Sequence, residues 1–376
     1  MERVLELEFL APAAASVLHE ADALTLGAEE ELILVDPVTL EPVEEIEAVL
    51  DRAGAHVQPE LRAAQVELVT PVCATVTELG RELRSARARL VAGLGGSIRL
   101  LAAGTHPTGA GPYAITDRPR YRGIAREYGW ALRRGLPSGL HVHVGLGDPD
   151  EALAVYNAAR SYLPELAALT ANSPFFEGSD STLASSRLKL VEDLPRAAVP
   201  PAFATWEELA SFVAWGSAGG LFPDLTYLWW DLRPRPDLGT IEFRVADAQT
   251  RHEDATAIAA LVQCLVAALR LRRRAGERLA VLPEHVIAEN RWRAVRDGLD
   301  AELVDGRTGA PEPVRDRLAR LVLELEPYAD ELGCDAELAG VWPLVGRNGA
   351  IRQREVAAAS GPRGLLEHLV AETERA

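Results

Sequence analysis

Four short segments place polar side chains capable of chemistry at alternate positions: Glu29-x-Glu31, Gln65-x-Glu67, His141-x-His143 and Glu242-x-Arg244. Side chains two apart on a β-strand point to the same face. In three of the four the surroundings are apolar: Val66 and Leu68 flank Glu67, Leu140, Val142 and Val144 surround the histidines, and Ile241, Phe243 and Val245 surround Glu242 and Arg244. Each segment reads as a strand with one apolar face and one carboxylate or imidazole face. If the strands share a sheet, carboxylates gather on one surface, where like charges at contact repel by roughly several kcal/mol unless cations neutralise them. A hard divalent metal, with the phosphate it carries, is the leading explanation.

Each segment also has a plainer reading. Glu29 and Glu31 fit a solvated edge strand, while Glu30 falls with Leu32 and Leu34 on the other face. Glu67 fits a surface position. Glu242 and Arg244 fit a cross-strand salt-bridge network with the nearby Asp231 and Arg233. The functional reading gives Glu242 to a metal and Arg244 to a phosphate, because the guanidinium fork matches phosphate oxygens. Two imidazoles on one strand face can bind metal or hydrogen-bond an anion, and they also fit a zinc hydrolase. Carboxylate-rich sites favour Mg²⁺ or Mn²⁺ and histidine-rich sites Zn²⁺; the balance here is towards carboxylate. Arg187 and Arg352 have the surroundings of surface arginines.

Composition narrows the chemistry. The 376 residues are 48% hydrophobic and 25% charged, an ordinary globular balance. The net charge of −17 disfavours nucleic acid and anionic membrane as partners. Lys189 is the single lysine, so a lysine Schiff base is disfavoured, and no G-x-x-x-x-G-K-[ST] loop exists, which excludes a P-loop grip. Phosphate recognition must then come from arginine, backbone N–H groups and metal. Cys73, Cys264 and Cys334 lie far apart and form neither zinc spacing nor a disulfide framework. The N-terminus lacks a basic n-region, and the apolar run around 258–271 reads as too short and broken to cross a bilayer. A cytoplasmic protein is expected.

The positioning elements follow from pattern. Strands are expected over 24–36, 40–46, 62–70, 98–103 and 139–146, with a hairpin of 225–232 and 240–246. Helices are expected over 78–94, 120–132, 149–171, 205–217, 250–274, 284–297, 313–332 and 350–373. Asp148-Pro149-Asp150-Glu151, Thr205 with Glu208, and Thr250 with Glu253 read as helix starts. Strands and helices mix without regular βα alternation. The expected class is α+β, a largely antiparallel sheet with outer helices, in one domain over 1–376.

The chain also resembles the glutamate–cysteine ligase type 2, or carboxylate–amine ligase, family. The resemblance rests on Gly27-Ala28-Glu29-Glu30-Glu31, Gln65-Val66-Glu67-Leu68, Gly139-Leu140-His141-Val142-His143, Trp230-Asp231-Leu232-Arg233-Pro234, Gly239-Thr240-Ile241-Glu242-Phe243-Arg244 and Asn348-Gly349-Ala350-Ile351-Arg352. It implies a glutamine-synthetase-like fold with a curved antiparallel sheet. It also implies ATP- and Mg²⁺-dependent activation of a carboxylate to an acyl phosphate, which an amine then displaces. Glutamate and cysteine are the default small-molecule substrates, and a homodimer is compatible with it. The metal positions implied are Glu29, Glu31, Glu67, His141 and Glu242. Arg244, Arg122 and Arg352 are the expected nucleotide contacts, and Arg244, Arg187 and His143 the expected catalytic groups. The segment 179–195 departs from the family pattern: Thr182-Leu183 and Ser186 stand where a Gly-Tyr and a further Tyr are usual. Three alternatives remain open: a phosphotransferase on the same fold, a metal-dependent hydrolase using His141 and His143, and a non-catalytic nucleotide-binding relative.

Overall fold

Strand β1 (Leu26–Val35) shows why the acids end up where they do. Ala28, Glu30, Leu32 and Leu34 share one face, and Glu29, Glu31, Ile33 and Val35 the other. The computed structural model of the protein describes residues 24–52, 54, 56–132 and 134–375. The expectation about an N-terminal targeting segment lies outside the described residues.

β1 is central in a seven-stranded sheet of order β6-β7-β5-β1-β3-β2, with β4 also on β1. The other strands are β2 (Val57–Pro59), β3 (Gln65–Val69), β4 (Arg99–Leu101), β5 (Gly139–Gly145), β6 (Leu232–Arg235) and β7 (Thr240–Asp247). Every pairing in it is antiparallel. β3 runs along one edge of β1 (29–33), while β5 (26–30) and then β4 (33–35) run along the other. The expected antiparallel α+β architecture therefore holds.

The helices of seven residues or more are α1 (Val76–Leu94), α2 (Pro119–Tyr128), α3 (Pro149–Ala159), α4 (Leu163–Thr170), α5 (Ser186–Glu192), α6 (Trp206–Ala218), α7 (His252–Arg274), α8 (Glu284–Asp297), α9 (Val314–Leu332) and α10 (Gly349–Thr373). Thr75, Asp148, Ser185, Thr205 and Asn348 cap their helices by accepting a backbone N–H from three residues on. Leu32 and Leu34 pack with Ala86, Leu90 and Leu94 of α1. Leu140, Val142 and Val144 join the largest core cluster with α3, α4 and α7. On the opposite face Ile33 and Val35 are covered by Leu365, Leu366, Leu369 and Val370 of α10. α10 thus closes the far end of the acidic face and leaves the stretch around Glu29 and Glu31 to line a cavity.

Several local expectations need correction. No strand forms over 40–46; Asp36 instead accepts the N–H groups of Val38 and Thr39 in a tight turn, leaving one bridge, Val35 to Pro42. The helix expected over 149–171 is two helices joined by a 3₁₀ turn at 160–162, with Pro164 opening the second. α7 starts at His252 without a side-chain cap, because the Thr250 hydroxyl donates to the Ala102 carbonyl. The first hairpin strand starts at Leu232, since 225–227 form a 3₁₀ turn. α10 breaks at Gly361 (φ 70°), just before Pro362. α7, with 23 residues, is long and apolar enough to cross a bilayer, contrary to expectation, but 89% of its apolar window is buried as core.

Candidate active site

Register brings the separate segments into one constellation. Glu31 lies opposite Glu67, Glu29 opposite His141, His143 opposite Glu242, and Glu242 opposite Arg233. The β5–β7 ladder shifts register between Phe243 and Ala246, a bulge at Arg244. A cavity of about 330 Å³ opens over this face. Glu29, Glu31, Glu60, Glu67, His141, Arg187 and Arg244 line it. His143 and Glu242 stand behind that lining, with Glu242 wholly buried.

Three groups of ligand atoms lie within 4.8 Å of one another: Glu31 with Glu60 and Glu67, Glu29 with Glu67 and His141, and Glu29 with His143 and Glu242. Glu29 Oε2 is 3.0 Å from His141 Nδ1, and Glu29 Oε1 is 3.3 Å from His143 Nε2. His143 Nδ1 sits 3.0 Å from the Thr240 hydroxyl. The Nε2 atoms of both histidines are buried without a hydrogen-bond partner. Glu31 accepts the backbone N–H of Gly139 at 2.5 Å, which fixes one of its oxygens.

Electrostatics shows how uneasy this arrangement is. Burial, then the charges of Glu29, Glu60 and Glu31, push Glu67 well above the usual carboxylate range. Burial likewise raises Glu31 and Glu60. Burial opposes the charge on Glu29, but the hydrogen bond with His141 and the two imidazoles beside it outweigh burial and hold its carboxyl far below that range. Burial, then the nearby Arg244, lowers His141, which keeps its ring neutral and able to act as a ligand. Clustered carboxylates whose pKa values split in this way are what a divalent cation reconciles. The donors around Glu31, Glu60 and Glu67 are oxygen only, which fits a hard ion such as Mg²⁺ or Mn²⁺.

Glu242 is doubly engaged. Arg233 grips it with a fork, Nε to Oε2 at 2.8 Å and Nη2 to Oε1 at 2.9 Å, and Arg244 Nη1 also donates to Oε1. Despite burial, Arg244 and Arg233 hold its carboxyl well below the usual range. The salt-bridge network considered from sequence is therefore present, and the same Oε1 lies 3.9 Å from His141 and from His143. Arg187 is on α5 and buried, not a surface arginine. Its Nη2 donates to the Arg244 carbonyl at 3.1 Å, its Nε has no partner, and it faces the cavity. A Cβ at Gly139 would come within 2.2 Å of Arg187 Nη2, so glycine there makes room for the guanidinium.

Arg122 and Arg352 are not brought to the cavity lining. Arg122 is exposed and pairs with Asp117, and Arg352 pairs with Asp254 at the start of α7. Arg120, two residues before Arg122, does line the cavity and donates to Thr226. Two further charged lining residues also escaped the sequence reading. Glu60 follows the three-residue β2, whose Pro59 hides the strand; the alternation of Gln58 with Glu60 was the available signal. Arg235, whose partner is Asp237, sits in a segment read as a loop.

The fold defines the class first: it is that of glutamate–cysteine ligases. The solved glutamate–cysteine ligase of Francisella tularensis, in complex with AMP, superposes with a TM-score of 0.66 at 14% identity, covering 94% of this chain and 89% of that one. A bifunctional glutathione synthetase from Pasteurella multocida superposes with a TM-score of 0.67 at 15% identity, over 98% of this chain and 54% of that one, so the chain spans about half of that protein. The chain belongs to glutamate-cysteine ligase family 2 (GCS2), which matches residues 25–372, and is a ligase of the class that forms C–N bonds. Among its relatives are two proteins of Rubrobacter xylanophilus. One, named "Putative glutamate--cysteine ligase 2-1", is 41% identical over 90% of this chain and 91% of its own length. The other, named 2-3 in the same series, is 42% identical over 93% and 97%.

Proposed function

We propose that the protein joins a carboxylate to an amine at the expense of ATP, through an acyl phosphate, as one catalytic domain, with glutamate and cysteine as the default substrates. The observation that carries this is the cavity wall on which Glu29, Glu31, Glu60 and Glu67 meet beside Arg187 and Arg244. ATP use has further support from the AMP complex of the Francisella relative.

Glu31, Glu60, Glu67, Glu29 and His141 would hold magnesium, with Glu242 and His143 at a position behind them. The metal, when bound, supplies positive charge to the phosphates of the nucleotide. The chain's own residues do the rest. Arg233 fixes Glu242, and Glu242 aims the Arg244 guanidinium at the face where phosphate must lie. Arg187, buried and with one N–H uncommitted, receives a substrate carboxylate.

In the first step a carboxylate oxygen attacks the γ-phosphorus, the bond to ADP breaks and an acyl phosphate forms. In the second the amine lone pair attacks the acyl carbon, a C–N bond forms, the C–O bond to phosphate breaks, and inorganic phosphate and a proton leave. Two anions approach each other in the first step, so stabilisation of developing charge dominates catalysis.

The test crosses carboxylates with amines under ATP and Mg²⁺ while following ADP, free phosphate and product mass. Equal release of ADP and phosphate with an amide product supports the ligase. Phosphate retained on the acceptor supports the phosphotransferase instead, and turnover without ATP supports the hydrolase. Arg244→Lys should raise the KM for ATP about tenfold or more, because a fork becomes a point charge; an unchanged KM removes Arg244 from the nucleotide.

A further inference from the structure

The part of the cavity lining supplied by helices and loops differs in character from the acids of the sheet. Leu188 and Val191 of α5 and Leu194 just beyond it, each three residues apart, line the cavity together with Ile124 of α2 and Trp229. Every charged group on this side except Arg120 has a charged partner. Asp231 accepts from Arg291, Arg233 grips Glu242, Arg235 pairs with Asp237, and Arg120 bonds Thr226. Among the described residues no uncommitted carboxylate stands here to receive an ammonium.

We infer that the amine substrate carries an apolar body, aliphatic or aromatic and larger than the side chain of cysteine, seated against Leu188, Val191, Leu194 and Trp229. The inference rests on the ligase reading and replaces its default amine, cysteine, with a larger apolar one. Two physical reasons assign this wall to the amine. The attacking nitrogen needs its lone pair free, whereas the acids of the sheet gather cations and phosphate, so the amine approaches from the apolar part of the lining. An apolar wall also disfavours the ammonium form and favours the neutral nucleophile. Each methylene buried there is worth about a fourfold gain in binding, so a leucine-sized side chain outcompetes cysteine by about tenfold.

The full-length protein with ATP and Mg²⁺ is assayed for ADP release and product mass. Glutamate, aspartate, acetate and benzoate are crossed with alanine, cysteine, leucine, phenylalanine, isobutylamine and phenethylamine. In parallel, each amine is titrated calorimetrically against the protein loaded with Mg²⁺ and a non-hydrolysable ATP analogue. The expected result is a kcat/KM at least tenfold higher for a leucine- or phenylalanine-type amine than for cysteine or alanine, with affinities in the same order. Val191→Asp and Leu194→Gln should each cut that ratio about tenfold; a ratio does not depend on the folded fraction. Robust turnover with cysteine preferred overturns the apolar amine and leaves the ligase standing. No amine-dependent ADP release with any pair overturns both.

Discussion

At Glu67 the conflict within the site is sharpest, because burial and three neighbouring carboxylates all oppose its charge. Glu67→Gln removes that repulsion while keeping the shape. Without metal the variant should melt at or above the temperature of the parent protein, yet lose the rise in Tm that Mg²⁺ gives the parent and at least about 100-fold of kcat. Melting curves with and without Mg²⁺ decide it: an undiminished metal shift would remove Glu67 from the ligand set. Glu60 and Arg120 stand beside it on the cavity wall, so roles assigned from strand alternation alone were incomplete.

At the scale of elements, the acidic face depends on what anchors the back of β1. Glu30 points away from the site and takes a fork from Arg87 of α1, at 2.9 and 2.7 Å, while Arg87 also donates to the carbonyls of Gln249 and Thr250. Both side chains are almost wholly buried. Arg87→Leu should cost about 3–5 kcal/mol in urea unfolding by stranding a buried carboxylate, and adding Glu30→Leu should recover much of the loss. A double variant as unstable as the single one would show that the pair does more than balance charge.

The loop at 104–112 carries a pH dependence of its own. His106 Nε2 donates to the Leu40 carbonyl at 2.9 Å, and Nδ1 accepts from the Gly109 N–H at 2.9 Å, so the ring fits only when neutral. Burial presses its pKa down to about 4. The unfolded chain therefore binds this proton more tightly than the folded one, and stability falls as pH drops from about 6.5 towards 4. Relative to His106→Gln, the protein should lose about 2 kcal/mol between pH 7.5 and pH 5. Parallel losses in the two proteins would show that His106 is not the group responsible.

For the whole molecule, the net charge of −17 and the collected acids make cation binding part of stability as well as of turnover. Ligand that binds only the folded state stabilises by RT ln(1 + [L]/Kd), about 2.7 kcal/mol at a hundredfold excess over Kd. EDTA should abolish ADP release and lower Tm, and Mg²⁺ or Mn²⁺ should restore both. Turnover that survives chelation would contradict the metal roles. Because α10 shuts one end of the acidic face, shortening the chain at its C-terminus should also harm folding through Leu365, Leu366, Leu369 and Val370.

Alternation of polar and apolar residues was enough to read β1, β3, β5 and β7 and to say which side chains share a face, because a strand's geometry repeats every two residues. The motifs carried the family, and the capping residues at Asp148 and Thr205 marked helix starts through purely local hydrogen bonds. Distance across the chain was beyond that reading. Only the folded sheet set Glu31 opposite Glu67, brought Glu60 in behind a proline, tied Glu242 to Arg233, and left Arg122 and Arg352 off the cavity. Pairing register and helix packing come from contacts between residues far apart in the chain, and no local period encodes which of several equivalent arginines will face the site.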